Sequence, residues 1–425
     1  MIRFLFSGLI RDRSRSLFPV IIVATGVAIT VIYQSFLSGA LGSMLEANAR
    51  FDTGHLKVMT KIYSEKNALR PNDLSLTETG KWIKTLNNDF PDTVWLQRIK
   101  FGALLDLPDE NGETLRQAPV IGFALDITSR ESVESKNLEI DKNIVRGSYP
   151  QKKGEILISE KLFDDLGIKL GQKVTLISSG MDSGMAVGNF SVAGTVKFGI
   201  AAMDRGTVIV NLKDAQKMLA MDDAASEIIG LFKKELFEEK RAKEIVRIFN
   251  ARYLEPGNKF SPVMTAPLTE GDMGDYLNMA ESVLLIFTVV FVFIITLVFW
   301  NAGVRNGIRR YSEFGLRLAI GENKLHLFIS LIIESLFVGV AGSFIGTIVG
   351  LAPSFYLMRF GFDISRFFGS NESLMIPNII KANITHVTFW IGFIPGIFAT
   401  ELGTAMAGSA VFRRQTAQLF KELEI

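Results

Sequence analysis

Uncharged apolar runs alternate with long polar stretches along this chain. A helix needs about 20 mostly apolar residues to cross a bilayer, and four runs satisfy that length; they occupy residues 17–42, 278–302, 325–352 and 387–408. The second run is the clearest, because no charged residue falls between Val283 and Trp300. The first is longer than the apolar region of a signal peptide, about 7–15 residues, which favours an uncleaved anchor. The pattern predicts four transmembrane helices.

The polar segment 43–277 has a secondary-structure pattern of its own. Strand-like and helix-like stretches follow one another in its first part, 43–117, and again in its last part, 222–277. The central part, 118–221, has the pattern of short strands separated by glycines. We therefore predict an α+β extracytoplasmic domain, in which a porter-like βα-type subdomain is interrupted by a β-rich insertion. Gly167 is expected at the C′ position of a short helix, where glycine tolerates a left-handed backbone.

Charge separates the chain into the same parts. Residues 43–277 hold 31 basic and 34 acidic side chains, whereas the other 190 residues hold only 15 basic and 10 acidic ones. The hydrophobic fraction of 48% and the mean hydropathy of +0.27 are therefore averages over a nearly neutral polar domain and several apolar spans. This distribution disfavours a soluble enzyme and a nucleic-acid-binding protein.

Basic residues in the short connections predict the orientation of the spans, because cytoplasmic loops carry an excess of Lys and Arg. Twelve such residues lie in the segments 1–16, 303–324 and 409–425, against three in the loop 353–386. We expect both termini, including an amphipathic segment at 1–16, and the connection 303–324 to be cytoplasmic. The large domain 43–277 then lies outside the cytoplasm.

The residue types of most catalytic and metal centres are scarce or scattered. The chain contains no cysteine, and His55, His326 and His386 fall in three different regions, so no metal site is predicted. The phosphate-binding pattern G-x-x-x-x-G-K-[ST] does not occur. We expect no catalytic residue and no enzyme activity in this chain, and no cofactor bound by it. Any ATP would be hydrolysed by another polypeptide.

Short polar patterns in the domain 43–277 indicate structural roles. The adjacent acids Asp164–Asp165 and Asp222–Asp223 lie at predicted helix ends or turns, where solvated surface is favoured over paired catalytic acids. Ser75 and Thr77 are candidate caps of a helix predicted at 76–89.

A specific motif follows the second predicted span. A short basic amphipathic segment stops at Gly321 and leads into an apolar helix with glycines four residues apart. This stretch closely resembles the FtsX-like permeases of ABC transporters, a superfamily that includes macrolide-export and lipoprotein-releasing membrane subunits. The matching positions are Arg310, Glu313, Phe314, Gly315, Leu316, Arg317, Ala319, Ile320, Gly321, Glu334, Gly342 and Gly346. Glu322 departs from the pattern, which usually has a small residue there. The stretches 154–160 and 166–174 look like the MacB-like periplasmic core domain of the same family.

The resemblance implies a mechanotransmission transporter of the inner membrane with its large domain in the periplasm. It implies that a second permease copy or paralogue and an ABC ATPase dimer are partners, and that ATP and Mg²⁺ are bound by the ATPase. The segment 303–324 would be the coupling element. Its candidate ATPase-coupling residues are Arg309, Arg310, Glu313, Phe314, Gly315, Arg317 and Gly321.

Residues in and beside the spans are candidates for further roles. Release of a lipid-anchored substrate requires an apolar access surface, for which the candidates are Tyr33, Phe36, Leu37, Leu284, Leu285 and Phe287. Simple lipid contact is the alternative for each of them. Within the spans, structural pairing of Glu334 and Glu401 is favoured over a proton-coupled role. Close helix packing is expected at Gly342, Gly346 and Gly350.

Three functions follow from the resemblance. The leading one is lipoprotein release from the inner membrane toward the outer membrane, with a periplasmic lipoprotein chaperone as a further partner. The second is macrolide or peptide efflux with an adaptor and an outer-membrane channel. The third is an FtsX-like transmembrane regulator of cell-wall hydrolases. The short, proline-free stretch 180–189 predicts a chain without a chaperone-binding hook.

Overall fold

The computed structural model describes residues 13–109, 111–233, 239–266, 316–317, 320–364 and 377–412, together with part of 282–301. The helices are α1 (Arg13–Asn48), α2 (Lys61–Glu65), α3 (Thr79–Asp89), α4 (Val133–Asn137), α5 (Ile140–Asn143), α6 (Glu160–Leu166), α7 (Ala201–Gly206), α8 (Leu212–Met218), α9 (Glu239–Tyr253), α10 (Lys324–Phe360), α11 (His386–Trp390) and α12 (Phe393–Phe412). The strands are β1 (Leu56–Thr60), β2 (Leu76–Thr77), β3 (Thr93–Pro108), β4 (Thr114–Leu125), β5 (Ile144–Gly147), β6 (Glu155–Ser159), β7 (Lys173–Ser179), β8 (Met185–Val196), β9 (Thr207–Asn211), β10 (Ala224–Ala225), β11 (Glu227–Phe232), β12 (Pro262–Thr265), β13 (Phe362–Asp363) and β14 (Ile379–Ile380).

The chain divides into two compact units. The helical unit comprises Met1–Gly42, Asn278–Phe362 and Ile380–Ile425, and the mixed α/β unit comprises Ser43–Leu277 and Asp363–Ile379. The mixed unit therefore contains the whole polar segment that the charge pattern separates from the apolar runs.

An antiparallel sheet forms one half of the mixed unit. Its strand order is β12-β1-β11-β3, and helices α3 and α9 cover it through a shared apolar core. Leu86 from α3, Phe249 from α9 and Ile228 from β11 are fully buried in that core. The two ends of the segment thus supply one subdomain, with α3 and α9 close to the helices that the sequence pattern predicts.

A closed barrel forms the other half of the mixed unit. Strands β3, β4, β9, β6, β8 and β7 pair in this order, and β7 pairs again with β3, which closes the ring. Leu105 of β3 lies opposite Leu176 of β7, and both side chains are fully buried in the barrel core. Since closure pairs the long edges of a sheet, the ring leaves few free strand edges. The barrel uses β3 from Ile99 onward, well ahead of the insertion boundary at 118.

Two local predictions in the mixed unit have opposite outcomes. Gly167 ends α6 with a left-handed backbone (φ 64°), and its N–H donates to the carbonyl of Asp164 at 3.1 Å, which confirms the C′ assignment. The prediction of Ser75 or Thr77 as the cap of α3 is wrong. The carboxylate of Asp223 accepts from the N–H of Gly80 at 2.8 Å and from the hydroxyl of Thr79 at 3.1 Å.

Three helices of the described part of the chain are long and apolar enough to cross a membrane. They are Leu17–Thr53, Lys324–Phe360 and His386–Gly408. Helix α10 continues eight residues beyond the predicted end at 352, through Pro353. The last span is divided, because α11 ends at Trp390 and α12 begins at Phe393. The described positions between 282 and 301 are helical, but the rest of the predicted second span lies outside the described residues.

Candidate functional site

The turn that precedes α10 belongs to the predicted coupling segment. The N–H of Glu322 donates to the carbonyl of Arg317 at 3.0 Å, and Gly321 has a left-handed φ of 98°. This is the bond pattern of a Schellman motif with Gly321 at C′, so a helical turn ends here. The side chain of Asn323 then accepts from the N–H of Leu325 at 3.1 Å and caps α10. Gly321 therefore fixes the sharp connection into α10.

Charged side chains stand on this turn. Arg317 Nε lies 3.8 Å from Glu322 Oε2, and the other carboxylate oxygen of Glu322 lies 3.8 Å from His326 Nε2. Glu322 departs from the family pattern, whereas Arg317 matches it, and the two side chains lie close together on this turn. Five further predicted coupling residues lie outside the described residues; they are Arg309, Arg310, Glu313, Phe314 and Gly315.

The glycines of α10 form its interface with α1. A Cβ atom at Gly346 would lie 2.5 Å from the carbonyl oxygen of Ala24 and 2.7 Å from Cβ of Val27. Gly342 and Gly350 approach α1 as closely, one turn away on either side. The glycine spacing that the sequence shows therefore corresponds to backbone-to-backbone packing of two helices.

The last span packs against the same helices through small residues. A Cβ atom at Gly396 would lie 2.2 Å from the hydroxyl oxygen of Ser343, and one at Gly392 would lie 2.4 Å from Val27. In the other direction, a Cβ atom at Gly339 would lie 2.6 Å from the hydroxyl oxygen of Thr400. Helices α1, α10 and α12 thus meet along one seam of small side chains.

One of the two acids in the predicted spans has a polar partner on a neighbouring helix. Glu401 Oε1 accepts from the hydroxyl of Ser335 on α10 at 3.2 Å, which links α12 to α10. Glu401 thus has a hydrogen-bonding partner on a neighbouring helix, and its structural role stays a prediction. Glu334, which precedes Ser335, also takes part in an interaction.

The candidate substrate-access residues occupy different surroundings. Phe36 makes an edge-on contact with Phe362, with ring centroids 6.1 Å apart, whereas Leu285 is 68% exposed. Tyr33 and Leu37 are partly buried, and Leu284 and Phe287 lie outside the described residues. A substrate-access surface that joins these residues therefore stays a prediction.

The stretch of α1 around these residues is anchored to the segment 380–385. A Cβ atom at Gly39 would lie 1.9 Å from the carbonyl oxygen of Lys381, and the N–H of Asn383 donates to the carbonyl of Ser35 at 2.9 Å. Ser35 also donates to the hydroxyl of Ser354 on α10 at 2.8 Å. Gly39 therefore allows α1 to pack closely against this segment.

Sequence reasoning missed a cluster of buried charges in the mixed unit. Arg98 on β3 forms two hydrogen bonds with the carboxylate of Glu134, at 2.7 and 2.8 Å, and both side chains are fully buried. Lys100 on the same strand contacts Asp52 and lies 2.7 Å from Glu227 Oε1. Lys57 on β1 lies 3.6 Å from the other oxygen of Glu227. Lys57, Arg98 and Lys100 are charged residues of predicted strands, and all three are buried.

Neighbouring charges shift the pKa values of two members of this cluster, Asp52 and Arg98, toward their ionised forms. Burial alone would raise the pKa of Asp52, but the ammonium groups of Lys100 and Lys57 outweigh it, so that this pKa lies well below its ordinary value. Burial alone would lower the pKa of Arg98, yet Glu134 outweighs it and raises this pKa. The cluster therefore holds paired charges, whereas unpaired charges in the same place would cost far more free energy. In the sequence, the only sign of this cluster is that Lys57, Arg98 and Lys100 lie within predicted strands.

Comparisons with known proteins found two similarities. Residues 285–416 match the family model of the FtsX-like permease C-terminal domain. Among solved structures, the chain is similar to the periplasmic region of MacB from Actinobacillus actinomycetemcomitans, at 9% sequence identity and a TM-score of 0.34; the match covers 54% of this chain and 94% of that chain. No curated protein matches the chain.

The matched region includes α10, α11 and α12 with their glycine seam, and the turn at Gly321. Members of this family generally serve as non-catalytic membrane subunits that work with an ABC ATPase. The apolar helices together with this domain make the chain a membrane protein. Residues 285–416 of this chain are therefore similar to the carboxyl-terminal domain of the FtsX-like permeases.

Proposed function

We propose that this chain is the permease subunit of a mechanotransmission-type ABC transporter that releases lipoproteins from the inner membrane. A separate ATPase binds the connection 303–324 from the cytoplasm. Hydrolysis there shifts the transmembrane helices, and the mixed unit in the periplasm moves the cargo.

The observation that carries this proposal is the FtsX-like domain at 285–416 on the same chain as a large mixed unit inserted after the first span. The FtsX-like domain supplies a membrane part whose movement depends on a partner ATPase. The inserted unit, Ser43–Leu277, has an apolar core of its own and is large enough to handle cargo.

The turn at Gly321 supports the coupling role of its segment. A helical turn that ends in a Schellman motif and is followed at once by a capped helix gives a stiff connection. A push on the segment before Gly321 would therefore reach α10, and the seam of small residues would pass it to α1 and α12. Arg317, which is partly exposed on this connection, is a candidate contact of the ATPase.

Exchange of charges in the coupling segment tests this role. We expect Arg317→Glu combined with Glu313→Lys to abolish transport and the stimulation of ATP hydrolysis, while the permease still inserts and folds. Measurements use the chain reconstituted in proteoliposomes with the ABC ATPase that copurifies with it. Arg359→Glu, at the far end of α10, is the matched control and should leave both activities intact. If the double variant retains both activities, the coupling assignment is wrong.

Depletion of the chain followed by membrane fractionation tests the cargo. Retention of lipoproteins in the inner membrane supports lipoprotein release. Normal lipoprotein sorting with a raised sensitivity to macrolides or peptides favours efflux instead. Normal sorting with a defect in cell separation favours the regulator of cell-wall hydrolases.

A further inference from the structure

The helix that contains the first span ends inside the mixed unit. At the junction, Asn48 has helical dihedrals (φ −63°, ψ −47°), so α1 continues into a π-helical segment, Ala49–Thr53. The last carbonyls of a helix have no partner within it, and they form the negative end of its dipole. A buried helix end therefore needs donors from elsewhere, preferably cationic ones.

Two cations from one strand supply these donors. Arg98 Nη2 donates to the carbonyl of Arg50 at 3.0 Å, and Lys100 Nζ donates to the carbonyl of Asp52 at 3.0 Å. Residues two apart on a strand point to the same side, so Arg98 and Lys100 meet successive parts of the helix end together. We call Arg98, Lys100 and the acids that pair with them, Glu134 and Glu227, the socket.

The contacts of the socket fix the helix end in position. Each cation binds a backbone carbonyl, so a rotation or a shift of the helix end by one residue would break both bonds. Each cation is in turn held by an acid from another element: Arg98 by Glu134 on α4, and Lys100 by Glu227 on β11. The helix end is thereby tied to the sheet and to the connection between the barrel strands at once.

The socket is an expensive way to hold a core together. Replacement of a buried ion pair by apolar side chains of similar volume is often neutral or stabilising, so ion pairs are weak evidence of a stabilising role. What apolar side chains cannot do is to bind the helix carbonyls in one register. A requirement for a fixed register explains the socket better than stability does.

We propose that Arg98 and Lys100 are positioning residues that clamp the end of α1, so that a displacement of this helix moves the mixed unit. The transmission part of this inference rests on the proposed function; the clamp does not. When the clamp is lost, the helix end slips in the mixed unit, and hydrolysis on the ATPase continues without useful movement.

Spin labels measure the clamp without any activity. The chain has no cysteine, so Glu46→Cys in α1 and Ser148→Cys after β5 give a doubly labelled full chain in nanodiscs. We expect one narrow distance peak in this parent. Arg98→Met combined with Glu134→Met removes the pair without a stranded charge, and we expect a second, displaced peak. Arg146→Met, which removes another arginine paired with two acids but on the barrel surface, should leave the narrow peak. An unchanged peak in the double variant overturns the clamp.

Transport measures what the clamp does. In proteoliposomes with the copurifying ATPase, we expect the double variant to lose transport at least about fivefold, while hydrolysis changes less than about twofold. Lys100→Gln should also lower transport, whereas Lys100→Arg, which keeps the charge, should retain it. These milder variants decide the matter if the double variant does not accumulate. Displaced spin labels with unchanged transport overturn the role in transmission. A parent that shows no ATP-driven transport refutes the proposed function, whereas the distance result for the clamp stands.

Discussion

The two units of this protein bury opposite kinds of side chain. Along α10 most buried positions are small, such as Gly342, Gly346 and Ser343, while large residues such as Phe344 are exposed. In the barrel of the mixed unit the buried positions are large and apolar, such as Leu105 and Phe101. Apolar tails of lipids compete with apolar side chains, so helices in a membrane gain most from close approach. In water, removal of apolar surface is the main gain.

The two units also treat charge differently. The mixed unit buries two cations of β3 with their acids around a helix end, whereas Glu401 of the helical unit is paired with a neutral hydroxyl. Paired charges suit a place where one register has to be kept. A carboxyl group with a neutral partner suits a contact between helices. Four predictions test the comparison of the two units.

The largest effect is expected for a truncation in the barrel core. Leu105→Ala removes a fully buried side chain opposite Leu176, and we expect a loss of about 2–5 kcal/mol in the free energy of unfolding. Leu336→Ala, the same change on an exposed face of α10, should cost less than about 0.5 kcal/mol. Chemical denaturation of the full chain in detergent, followed by tryptophan fluorescence, measures both. Equal losses would contradict the difference between the two interiors.

An added methyl group in the glycine seam should destabilise the helical unit. Gly346→Ala places a Cβ atom 2.5 Å from the carbonyl oxygen of Ala24, and we expect a loss of about 1–3 kcal/mol. The control is Gly42→Ala in α1, where the new Cβ meets nothing within 4 Å. Since alanine favours a helix over glycine, this control should gain about 0.5–1 kcal/mol. Thermal unfolding of both variants in the same detergent gives the sign, and a stable Gly346→Ala variant would exclude the close seam.

Loss of a distant helix cap should have a smaller effect. Asp223→Ala leaves the N–H of Gly80 and the hydroxyl of Thr79 without their acceptor, and we expect a loss of about 1 kcal/mol. Asp222→Ala, the neighbouring exposed acid, is the matched control and should change stability by less than about 0.5 kcal/mol. Hydrogen exchange of the α3 amides locates the effect. Faster exchange in both variants, or in neither, would contradict the assignment of the cap.

The last prediction concerns the dependence of stability on pH at Asp52, which contacts Lys100 of the socket. Because the pKa of Asp52 is lower in the folded than in the unfolded chain, its stabilisation is complete above the unfolded pKa. It is lost as the pH falls toward the folded pKa, so stability should decline between about pH 5 and about pH 2. In Asp52→Asn this part of the decline should disappear. Denaturation midpoints between these pH values measure the decline. If stability declines equally with pH in both proteins, the neighbouring lysines do not lower the pKa of Asp52.

Much of the local structure was predictable, since it depends on neighbours in the chain. The period of apolar residues predicts α3 and α9, and Gly167 marks the end of α6 because only its own turn sets its backbone conformation. The glycines four residues apart in α10 similarly lie on one face of a helix. The motif around Gly321 predicts the family, and its match over 285–416 confirms this.

Contacts between distant segments were not predictable from the pattern. The cap of α3 comes from Asp223, 143 residues away, because a carboxylate at the right place serves as well as a local Ser or Thr. The socket joins Arg98, Glu134 and the carbonyl of Arg50, which are remote in the sequence. Lys57 and Lys100 stand at polar positions of strand patterns, where a solvated side chain is the ordinary expectation. No periodicity tells a buried cation with a partner from an exposed one.

The sequence by itself determined where this chain is apolar, where it turns and to which family its carboxyl-terminal part belongs, because these properties reside in runs of neighbouring residues. Only the tertiary structure decided that six strands close into a barrel, that the glycines of α10 face α1, and that two cations of β3 hold the end of α1. Each of these depends on which distant segments meet. Burial and pairing are properties of such meetings, and no single stretch of the chain contains them.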